Sequence, residues 1–469
     1  MIRLLLLLAL STCLEASQKT NVVLVMLDDS GWTDFGCYGS DIETPHIDAF
    51  ASEGVRFTDC HSAAPNCSPA RVGILTGRTP SRVGMYSYRP PEHAMHLPDE
   101  EVTVAEVLKE QGYHTGHFGK WHLSTLLDND QPSPQDQGFD YTLGTDNNAS
   151  PNHLNPTNYI RNGKEVGEMK GYSCQIVVDE TIAWMDRIQA SENPFFACVW
   201  FHEPHTPIAS PETIVKKYQE NFPNLSEKEA TYFANIENVD RATGRLLDHL
   251  KKIGVDKNTI VMITSDNGGL AKFSNQGLRG KKSNVWDGGH RVPGIFRWPA
   301  KIPMGKECDV PISSVDFMPT ICSITGAELP KDRKIDGIDL SDLLTGKTSQ
   351  LKRETPLYWF FYRMNPAIAL REGKWSLIAD TNDAQRLKTH PLVAEDMPFI
   401  KKSQPVKYML YNMDTELTQR QDVAQKHPEV LDRLKKKMET MHQDVLSKSP
   451  HWQMDEPLKK VKPKLWDSY

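Results

Sequence analysis

The chain has 469 residues, a formal net charge of −7 and 25% charged residues. This length suits one large α/β domain with a smaller domain beside it. Acidic and basic residues are interspersed along the sequence, a pattern that gives no nucleic-acid-binding footprint and argues against a nucleic-acid partner.

The N-terminus predicts export. Residues 1–17 contain Arg3, an apolar run over residues 4–10 and then small and polar residues, the order typical of a secretory signal peptide. The run is too short to span a bilayer, and no later segment is apolar enough to do so. We expect a periplasmic, secreted or lysosomal protein, depending on the host; a lipoprotein anchor at Cys13 in "LSTC" is the less favoured interpretation.

The cysteine count is odd once the signal peptide is removed. Eight cysteines are present and Cys13 belongs to the predicted signal, which leaves seven. An odd number in an exported protein indicates a free or special thiol. Pairing among the six cysteines other than Cys67 cannot be deduced from the sequence, and Cys198, inside an apolar run, fits a buried free thiol at least as well as a disulfide.

Three long apolar runs predict a doubly wound sheet over residues 18–345. Residues 21–29, 193–205 and 258–269 each end abruptly in polar residues, as strands buried on both faces of a parallel sheet do. Amphipathic helices are predicted at 103–112 and at 226–254. Because ligands bind beyond the carboxyl ends of such strands, we expect the polar endings to converge there, namely Asp28-Asp29, His202/His205 and Asp266-Asn267.

The region from 346 to 469 has a different character. Short strand-like pieces predict a small antiparallel sheet, and residues 427–446 predict a terminal helix whose apolar stripe packs on that sheet. We therefore expect a smaller C-terminal α+β domain.

Two predicted strand ends offer oxygen ligands for a metal. Asp28, Asp29, Asp266 and Asn267 supply carboxylate and amide oxygens, which hard divalent cations prefer. Ordinary turn chemistry explains a single such pair equally well, but the same pattern after two buried strands favours a metal. Calcium fits this flexible mixed set better than magnesium, and the sequence does not exclude magnesium.

Basic side chains accompany these ligands. Lys120 and His122 are two residues apart and share a side in an extended chain, His205 follows the second long run, and Lys282 lies in a glycine-rich loop that allows close backbone approach to a ligand. Each alone is more typical of a surface or core residue. Together with Arg71 they predict a site for a tetrahedral oxyanion ester.

Cys67 begins a predicted helix, where the positive helix end lowers a thiol pKa. That position favours a cysteine nucleophile, although a thiolate is an unusual choice for attack on a sulfate or phosphate ester. A buried or disulfide-bonded cysteine is the competing interpretation.

"CSPAR" (67–71), followed by "LTGR" (75–78), resembles the C-x-P-x-R signature of the formylglycine-dependent sulfatases of the alkaline phosphatase superfamily. Further family-like segments occur in order along nearly the whole chain. These include "VLVMLDDSGWTDFGCYG" (23–39), "GYHTGHFGKWHL" (112–123), "PHTP" (204–207), "TSDNGG" (264–269) and "LRGKKSNVWDGGHRVP" (278–293). The sequences of these motifs are most similar to those of bacterial arylsulfatases and N-acetylgalactosamine-6-sulfatases.

The resemblance implies a role for each candidate residue. A maturating, formylglycine-generating enzyme would oxidise Cys67 to formylglycine, whose hydrated aldehyde is the family's nucleophile. The residues implied to bind calcium are Asp28, Asp29, Asp266, Asn267 and the modified Cys67. Arg71 and Lys120 would hold the formylglycine and the sulfate, His205 and Lys282 would face the leaving group with His205 as the better general acid, and His122 would take the remaining hydroxyl proton. Where some relatives carry a serine near the sulfate, this sequence has "TDNNAS" (145–150), and Asn148 or a neighbouring residue would take that place.

The implied activity is sulfuric-ester hydrolysis. A phosphate or phosphonate ester hydrolase of the same superfamily and a catalytically silent glycan-binding relative are the alternatives. The polar segment 145–166, rich in Asn, favours a sulfated carbohydrate as substrate. The sugar and the position of its sulfate stay open.

Overall fold

The computed structural model describes residues 19–127, 130–271, 273–382 and 392–454. The predicted signal peptide and the motif at Cys13 lie outside the described residues. Within those ranges, no helix combines the length and the apolar character needed to cross a bilayer.

Sixteen strands are found in the described residues. In chain order they are β1 (Asn21–Asp28), β2 (Val55–Phe57), β3 (Cys60–His61), β4 (His114–Lys120), β5 (Tyr141–Thr145), β6 (Tyr159–Arg161), β7 (Lys164–Gly167), β8 (Phe195–Pro204), β9 (Thr259–Ser265), β10 (Gly294–Arg297), β11 (Lys306–Cys308), β12 (Ile312–Ser313), β13 (Leu357–Phe360), β14 (Ile368–Glu372), β15 (Trp375–Thr381) and β16 (Pro405–Asn412).

Twelve α-helices accompany these strands in the same part of the chain. They are α1 (Pro45–Ser52), α2 (Cys67–Thr76), α3 (Pro80–Val83), α4 (Val104–Glu110), α5 (Ser173–Ile188), α6 (Glu212–Asn221), α7 (Glu227–Lys252), α8 (Asp287–His290), α9 (Phe317–Thr325), α10 (Ser341–Leu344), α11 (Met397–Lys402) and α12 (Pro428–Ser447).

The main sheet has ten strands in the order β11-β2-β10-β9-β1-β8-β4-β5-β6-β7. Its centre, from β9 to β5, is parallel throughout. Antiparallel strands flank this centre, with β10 beside β9 and β6 beside β5. The prediction of a large, mostly parallel sheet is confirmed.

Both faces of this sheet are covered, which explains the continuous apolar runs. In β1, Val22, Leu24 and Met26 point into one hydrophobic core, while Val23 and Val25 point into the other. Side chains alternate between faces along a strand, so a strand sandwiched between two cores needs apolar residues at every position. The doubly wound arrangement predicted from the sequence is confirmed.

Two of the predicted helices begin as their sequences indicate. Thr103 caps α4 and Ser226 caps α7, each accepting from the backbone N–H three residues on, while Glu106 and Glu229 reach back to the capping residue. These reciprocal bonds satisfy two donors that a helix start otherwise leaves unpaired. The caps therefore fix where α4 and α7 begin.

The C-terminal region forms a separate antiparallel sheet in the order β13-β14-β15-β16. Helix α12 packs on it through Leu434, Met438, Met441 and Val445. The predicted small sheet with a terminal helix is confirmed. The boundary between domains 18–345 and 346–469 stays a prediction.

All seven cysteines in the described residues carry free thiols, including Cys198 in the middle of β8. The other six are Cys37, Cys60, Cys67, Cys174, Cys308 and Cys322. The interpretation of Cys198 as a buried free thiol agrees with this arrangement.

Candidate active site

Four neighbouring parallel strands end at one edge of the main sheet. The carboxyl ends of β9, β1, β8 and β4 carry Asp266, Asp28, His205 and Lys120 at or one residue beyond the last strand residue. Parallel strands bring residues that are far apart in the chain to the same edge. The polar endings predicted from the sequence are therefore brought together.

The acidic residues and Asn267 form one buried group. Asp29 donates its backbone N–H to Asp266 Oδ1 at 3.1 Å, and Asn267 Nδ2 donates to Asp29 Oδ1 at 2.7 Å. Asp29 adopts a left-handed conformation with φ 70°. Asp28 Oδ1 and Asn267 Oδ1 are buried and accept no hydrogen bond from the described residues. Two unused oxygens in an acidic group suit a bound cation.

Each carboxylate has a basic side chain within hydrogen-bond distance. Lys120 Nζ lies 2.6 Å from Asp28 Oδ2, Arg71 Nη2 lies 2.8 Å from Asp266 Oδ2, and Lys282 Nζ lies 2.6 Å from Asp29 Oδ1. Buried charges persist when they are paired and hydrogen-bonded. Arg71 is fully buried in this network, so it does not extend to solvent from its helix.

The carboxylate pKa values respond in opposite directions to this crowding. Burial disfavours the ionised form of Asp28, but the attraction of Lys120 and the other cations outweighs burial and holds its pKa well below the usual range. Burial and the neighbouring charge of Asp28 raise the pKa of Asp266 to about 7. A divalent cation between these carboxylates would reduce the repulsion between Asp28 and Asp266.

Cys67 is the first residue of α2 and only 2% exposed. Its Sγ lies 3.6 Å from Asn66 Oδ1, and Asn66 in turn donates to Ser283 Oγ. Burial raises the pKa of the Cys67 thiol despite the nearby charges of Lys120 and Lys282. The expectation that the helix start lowers this pKa is wrong, because desolvation of the thiolate is the larger effect.

His122 has one committed ring nitrogen and one that carries a lone pair. The chain leaves the extended conformation after Lys120, since His122 has φ 62°, and its Nε2 donates to the carbonyl of Arg89 at 2.7 Å. Nδ1 is buried and has no hydrogen-bond partner among the described residues. Burial and the charges of Lys120 and Arg71 hold the His122 pKa well below its usual range. The neutral ring therefore offers Nδ1 as a proton acceptor.

His205 Nδ1 donates to the carbonyl of Thr206 at 2.7 Å, and Nε2 lies 3.6 Å from Asp29 Oδ2. Burial and the charge of Lys282 lower the His205 pKa to about 4. Attraction to Asp29 outweighs burial for Lys282, whose pKa is raised. The structure places both residues on the Asp29 side of the group; the general-acid assignment of His205 stays a prediction.

Asn148 and His202 differ in their surroundings. Asn148 Oδ1 accepts from Lys120 Nζ at 3.1 Å, so this candidate lies at the group. His202, expected at the same edge, instead bonds Thr145 Oγ1 at 2.8 Å and Ser173 Oγ at 2.7 Å with its two ring nitrogens. It is a satisfied core residue, and its expected convergence on the site is corrected accordingly.

The glycine-rich loop around Lys282 packs against other backbone. A Cβ on Gly289 would lie 1.9 Å from the carbonyl oxygen of Asn284, and one on Gly268 would lie 2.2 Å from that of Gly288. These glycines allow the loop to fold closely over the turn after β9. The close approach of this loop to a ligand stays a prediction.

The C-terminal sheet contacts the site through Trp359 of β13. Trp359 Nε1 donates to the carbonyl of Ser62 at 2.7 Å, and Ser62 Oγ donates to the carbonyl of Asp266. The Trp359 ring also stacks on His290, with centroids 4.0 Å apart. Arg89, Ser62 and Trp359 were not predicted, because contacts through backbone carbonyls leave no pattern in a sequence.

Comparisons with known proteins agree with these features. A family model described as Sulfatase matches residues 20–327, and one described as N-sulphoglucosamine sulphohydrolase, C-terminal, matches residues 280–444. N-acetylgalactosamine-6-sulfatase of Canis lupus familiaris is 33% identical over 391 residues, which cover 77% of this chain and 72% of that protein. Steryl-sulfatase of Rattus norvegicus is 31% identical over 423 residues, covering 71% and 72%.

The fold is also similar to solved structures. Ps i-CgsB has a TM-score of 0.80 and 27% identity, with 92% of this chain and 94% of that chain covered. Its complex with k-i-k-neocarrahexaose has a TM-score of 0.79 at 26% identity and coverages of 93% and 95%. The resemblance stated from the sequence motifs is thus confirmed: this chain belongs to the sulfatase family and is a sulfatase.

Proposed function

We propose that the protein hydrolyses sulfate esters of a sulfated carbohydrate, using a formylglycine made from Cys67 and a bound divalent cation. The observation that carries the proposal is the convergence of three carboxylate–cation pairs beside Cys67 at one sheet edge. An enzyme that hydrolyses neutral esters has no need of three buried cations in one site. An enzyme that hydrolyses an oxyanion ester requires them to stabilise the negative charge of its substrate.

The cation fits the donor set described above. Asp28, Asp29, Asp266 and Asn267 would hold it, together with the residue formed from Cys67. Calcium suits a flexible all-oxygen site, and magnesium is the second candidate. The three carboxylates already balance the three basic side chains, so a bound divalent ion leaves the site with two surplus positive charges. That surplus favours an anionic substrate.

When present, the formylglycine supplies the nucleophile and the cation stabilises negative charge beside it. Arg71 is held by Asp266 and by the carbonyl of Lys120, which fixes its guanidinium beside Cys67. Lys120, between Asp28 and Asn148, presents a charged donor to the sulfate. Preorganised donors of this kind cost no reorganisation during the reaction.

Two histidines transfer protons in the proposed reaction. His122 accepts a proton at Nδ1, because its Nε2 is already committed to the Arg89 carbonyl. On the leaving-group side, Lys282 supplies charge. His205 donates from Nε2 when a bound sulfate ester brings the negative charge that favours its protonated form.

A carbohydrate is the proposed substrate class. The relatives include an N-acetylgalactosamine-6-sulfatase, and a structural neighbour was solved with k-i-k-neocarrahexaose. In this chain, Asn148 of the polar segment 145–166 contacts Lys120 at the site, in a loop of the kind that sets specificity. Hydroxyl-rich sugars match amide and imidazole side chains.

One partner enzyme and one targeting segment of the chain also belong to this proposal. A formylglycine-generating or sulfatase-maturating enzyme would oxidise Cys67, and the segment 1–17 would direct export. The mass of the peptide that contains Cys67, taken from natively produced protein, tests the first. An unconverted thiol would favour the silent glycan-binding alternative.

Matched ester substrates test the activity. We expect the natively matured protein to hydrolyse 4-nitrophenyl sulfate and a panel of defined sulfated mono- and oligosaccharides, and to act much more slowly on 4-nitrophenyl phosphate. A preference for the phosphate would establish the phosphoester alternative instead.

A further inference from the structure

Asp34 is a buried carboxylate that the proposed reaction does not use. It lies in the loop after β1, is 1% exposed, and pairs with no basic side chain among the residues that the structure describes. Its Oδ2 instead accepts four hydrogen bonds, from Tyr232 Oη at 2.6 Å, Gly31 N at 2.7 Å, Ser274 Oγ at 2.8 Å and Ser30 Oγ at 3.0 Å. Burial raises its pKa to about 6, although these bonds favour the ionised form. Hydrogen bonds to an ionised acceptor are roughly twice as strong as neutral ones, so the four donors favour a carboxylate at this position.

The four donors come from three separate elements. Ser30 and Gly31 belong to the loop after β1, Ser274 belongs to the loop after β9, and Tyr232 belongs to α7. The two loops, together with the last residue of β1, hold the four proposed metal ligands, which are Asp28, Asp29, Asp266 and Asn267. One oxygen atom of Asp34 therefore connects the two halves of the proposed metal site.

The two loops are in direct contact beside Asp34. A Cβ on Gly31 would lie 2.1 Å from the carbonyl oxygen of Ser274, and one on Gly269 would lie 2.4 Å from Ser274 Oγ. Thr33 Oγ1 also donates to the Ser274 carbonyl at 2.9 Å. A shift of one loop therefore displaces the other, because a close-packed interior transmits strain.

We propose that Asp34 is a positioning residue for the divalent cation: its carboxylate holds the loops after β1 and β9 at the separation that a shared ion requires. The inference rests on the cation of the proposed function. Asp34 acts through the loops, since four donors occupy its Oδ2 and it lies outside the described group of potential ligand atoms at Asp28, Asp29 and His205. Loss of its charge weakens all four bonds at once and allows the loops to separate. Groups that orient metal ligands in this way typically contribute about 10–100-fold to metal affinity.

Calcium binding to the natively matured protein tests this role separately from activity. Isothermal titration calorimetry gives the Kd for calcium, with a parallel magnesium titration, and assays at rising calcium concentration give kcat at saturation. Asp34→Asn keeps the size of the side chain and removes its charge, so it should raise the calcium Kd about 10–100-fold. At saturating calcium, its kcat on 4-nitrophenyl sulfate should return close to the wild-type value, because the ligands and the reacting side chains are all present.

Two further variants separate positioning from folding. Tyr232→Phe removes one donor and keeps the ring, so it should fold and raise the calcium Kd by a smaller factor. Asp240→Asn is the matched control. Asp240 is another buried carboxylate whose pKa is raised by burial to about 6, but it accepts from the backbone N–H of Ile47 in α1 at 2.7 Å. This control should leave the calcium Kd unchanged even where Tm falls.

The calcium Kd also defines the results that contradict the inference. A Kd that is unchanged in both Asp34→Asn and Tyr232→Phe overturns it, even where Tm of the calcium-free protein falls, since that pattern is purely structural. An equal rise in Asp240→Asn overturns it as well, because any lost buried carboxylate would then weaken binding. Wild-type protein that binds neither calcium nor magnesium overturns the cation of the proposed function, and the inference with it.

Discussion

His122 donates its Nε2 proton to the carbonyl of Arg89 across 2.7 Å, and its Nδ1 has no partner in the described part of the chain. A carbonyl only accepts, so the proton is on Nε2 and the lone pair is on Nδ1. His122→Gln should lower kcat by about 10²–10⁴, the usual contribution of a positioned acid–base group, with a smaller effect on KM. Steady-state kinetics measure both constants.

The control for this variant is His114→Gln, at the opposite end of β4. His114 is half-buried and bonds Ser191 Oγ; because it lies away from the site, its replacement should retain activity within about two-fold. If His122→Gln were as active as the control, the assignment of His122 as proton acceptor would be wrong.

Cys67→Ala should abolish turnover and leave the fold intact. The change removes one buried atom, which costs about 1 kcal/mol at most sites and shifts Tm by only a few degrees. Activity assays and thermal unfolding measure the two effects. Cys198→Ala, at another fully buried free thiol, should keep activity. Near-normal turnover by Cys67→Ala would contradict the nucleophile assignment.

Lys282 and His205 should separate by their dependence on the leaving group. Lys282→Met removes a charge and should lower kcat/KM by about 10²–10³ for every substrate. His205→Gln removes a proton donor, so its loss should be larger for sugar sulfates than for 4-nitrophenyl sulfate, whose phenolate leaves without protonation. A uniform loss in His205→Gln would assign the proton to another group.

Removal of the divalent ion should lower both activity and Tm. Chelation exposes the repulsion among Asp28, Asp29 and Asp266, and a ligand at 100 times its Kd stabilises the fold by about 2.7 kcal/mol. Added calcium should restore Tm, with a smaller response in Asn267→Ala because one oxygen ligand is lost. Identical melting curves with chelator and with calcium would argue against the metal site.

Asp59 provides a pH-dependent test of stability. Burial disfavours its ionised form, but Arg371 and Arg291 outweigh burial and hold its pKa far below the ordinary value of 3.8. A depressed carboxylate pKa stabilises the fold above pH 3.8, and this contribution is lost as the pH falls below that value. Asp59→Asn should therefore cost about 3 kcal/mol near pH 7.

The difference in unfolding free energy between wild type and Asp59→Asn should stay constant from pH 7 to about pH 5 and shrink below pH 3.8, as linkage requires. Denaturant titrations at each pH measure it. A difference that grew on acidification would have the wrong sign for this ion pair.

The central part of the fold was predictable because its strands are buried on both faces. Residues 21–29, 193–205 and 258–269 are apolar at successive positions, and the structure places them side by side as β8, β1 and β9. Strands of three or four residues at the flanks, such as β6 and β7, are too short to show a period.

Site residues whose side chains take part directly could be predicted from the sequence. Contacts that depend on backbone carbonyl groups could not. Asp28 and Asp266 follow recognisable strand ends, but the contact of His122 with the Arg89 carbonyl has no sequence signature. The link from Trp359 to Ser62 spans 297 residues, a separation at which periodicity carries no information.

The burial of Cys67 limits the time during biosynthesis at which its side chain is accessible. In the folded protein its side chain is 2% exposed, and the partners of its neighbour Arg71 include Asp266, almost 200 residues later in the chain. At roughly 5–20 residues per second, translation needs on the order of 10–40 s to deliver that strand. The proposed modifying enzyme would therefore act in this interval, when Cys67 has emerged and the sheet edge that encloses it does not yet exist.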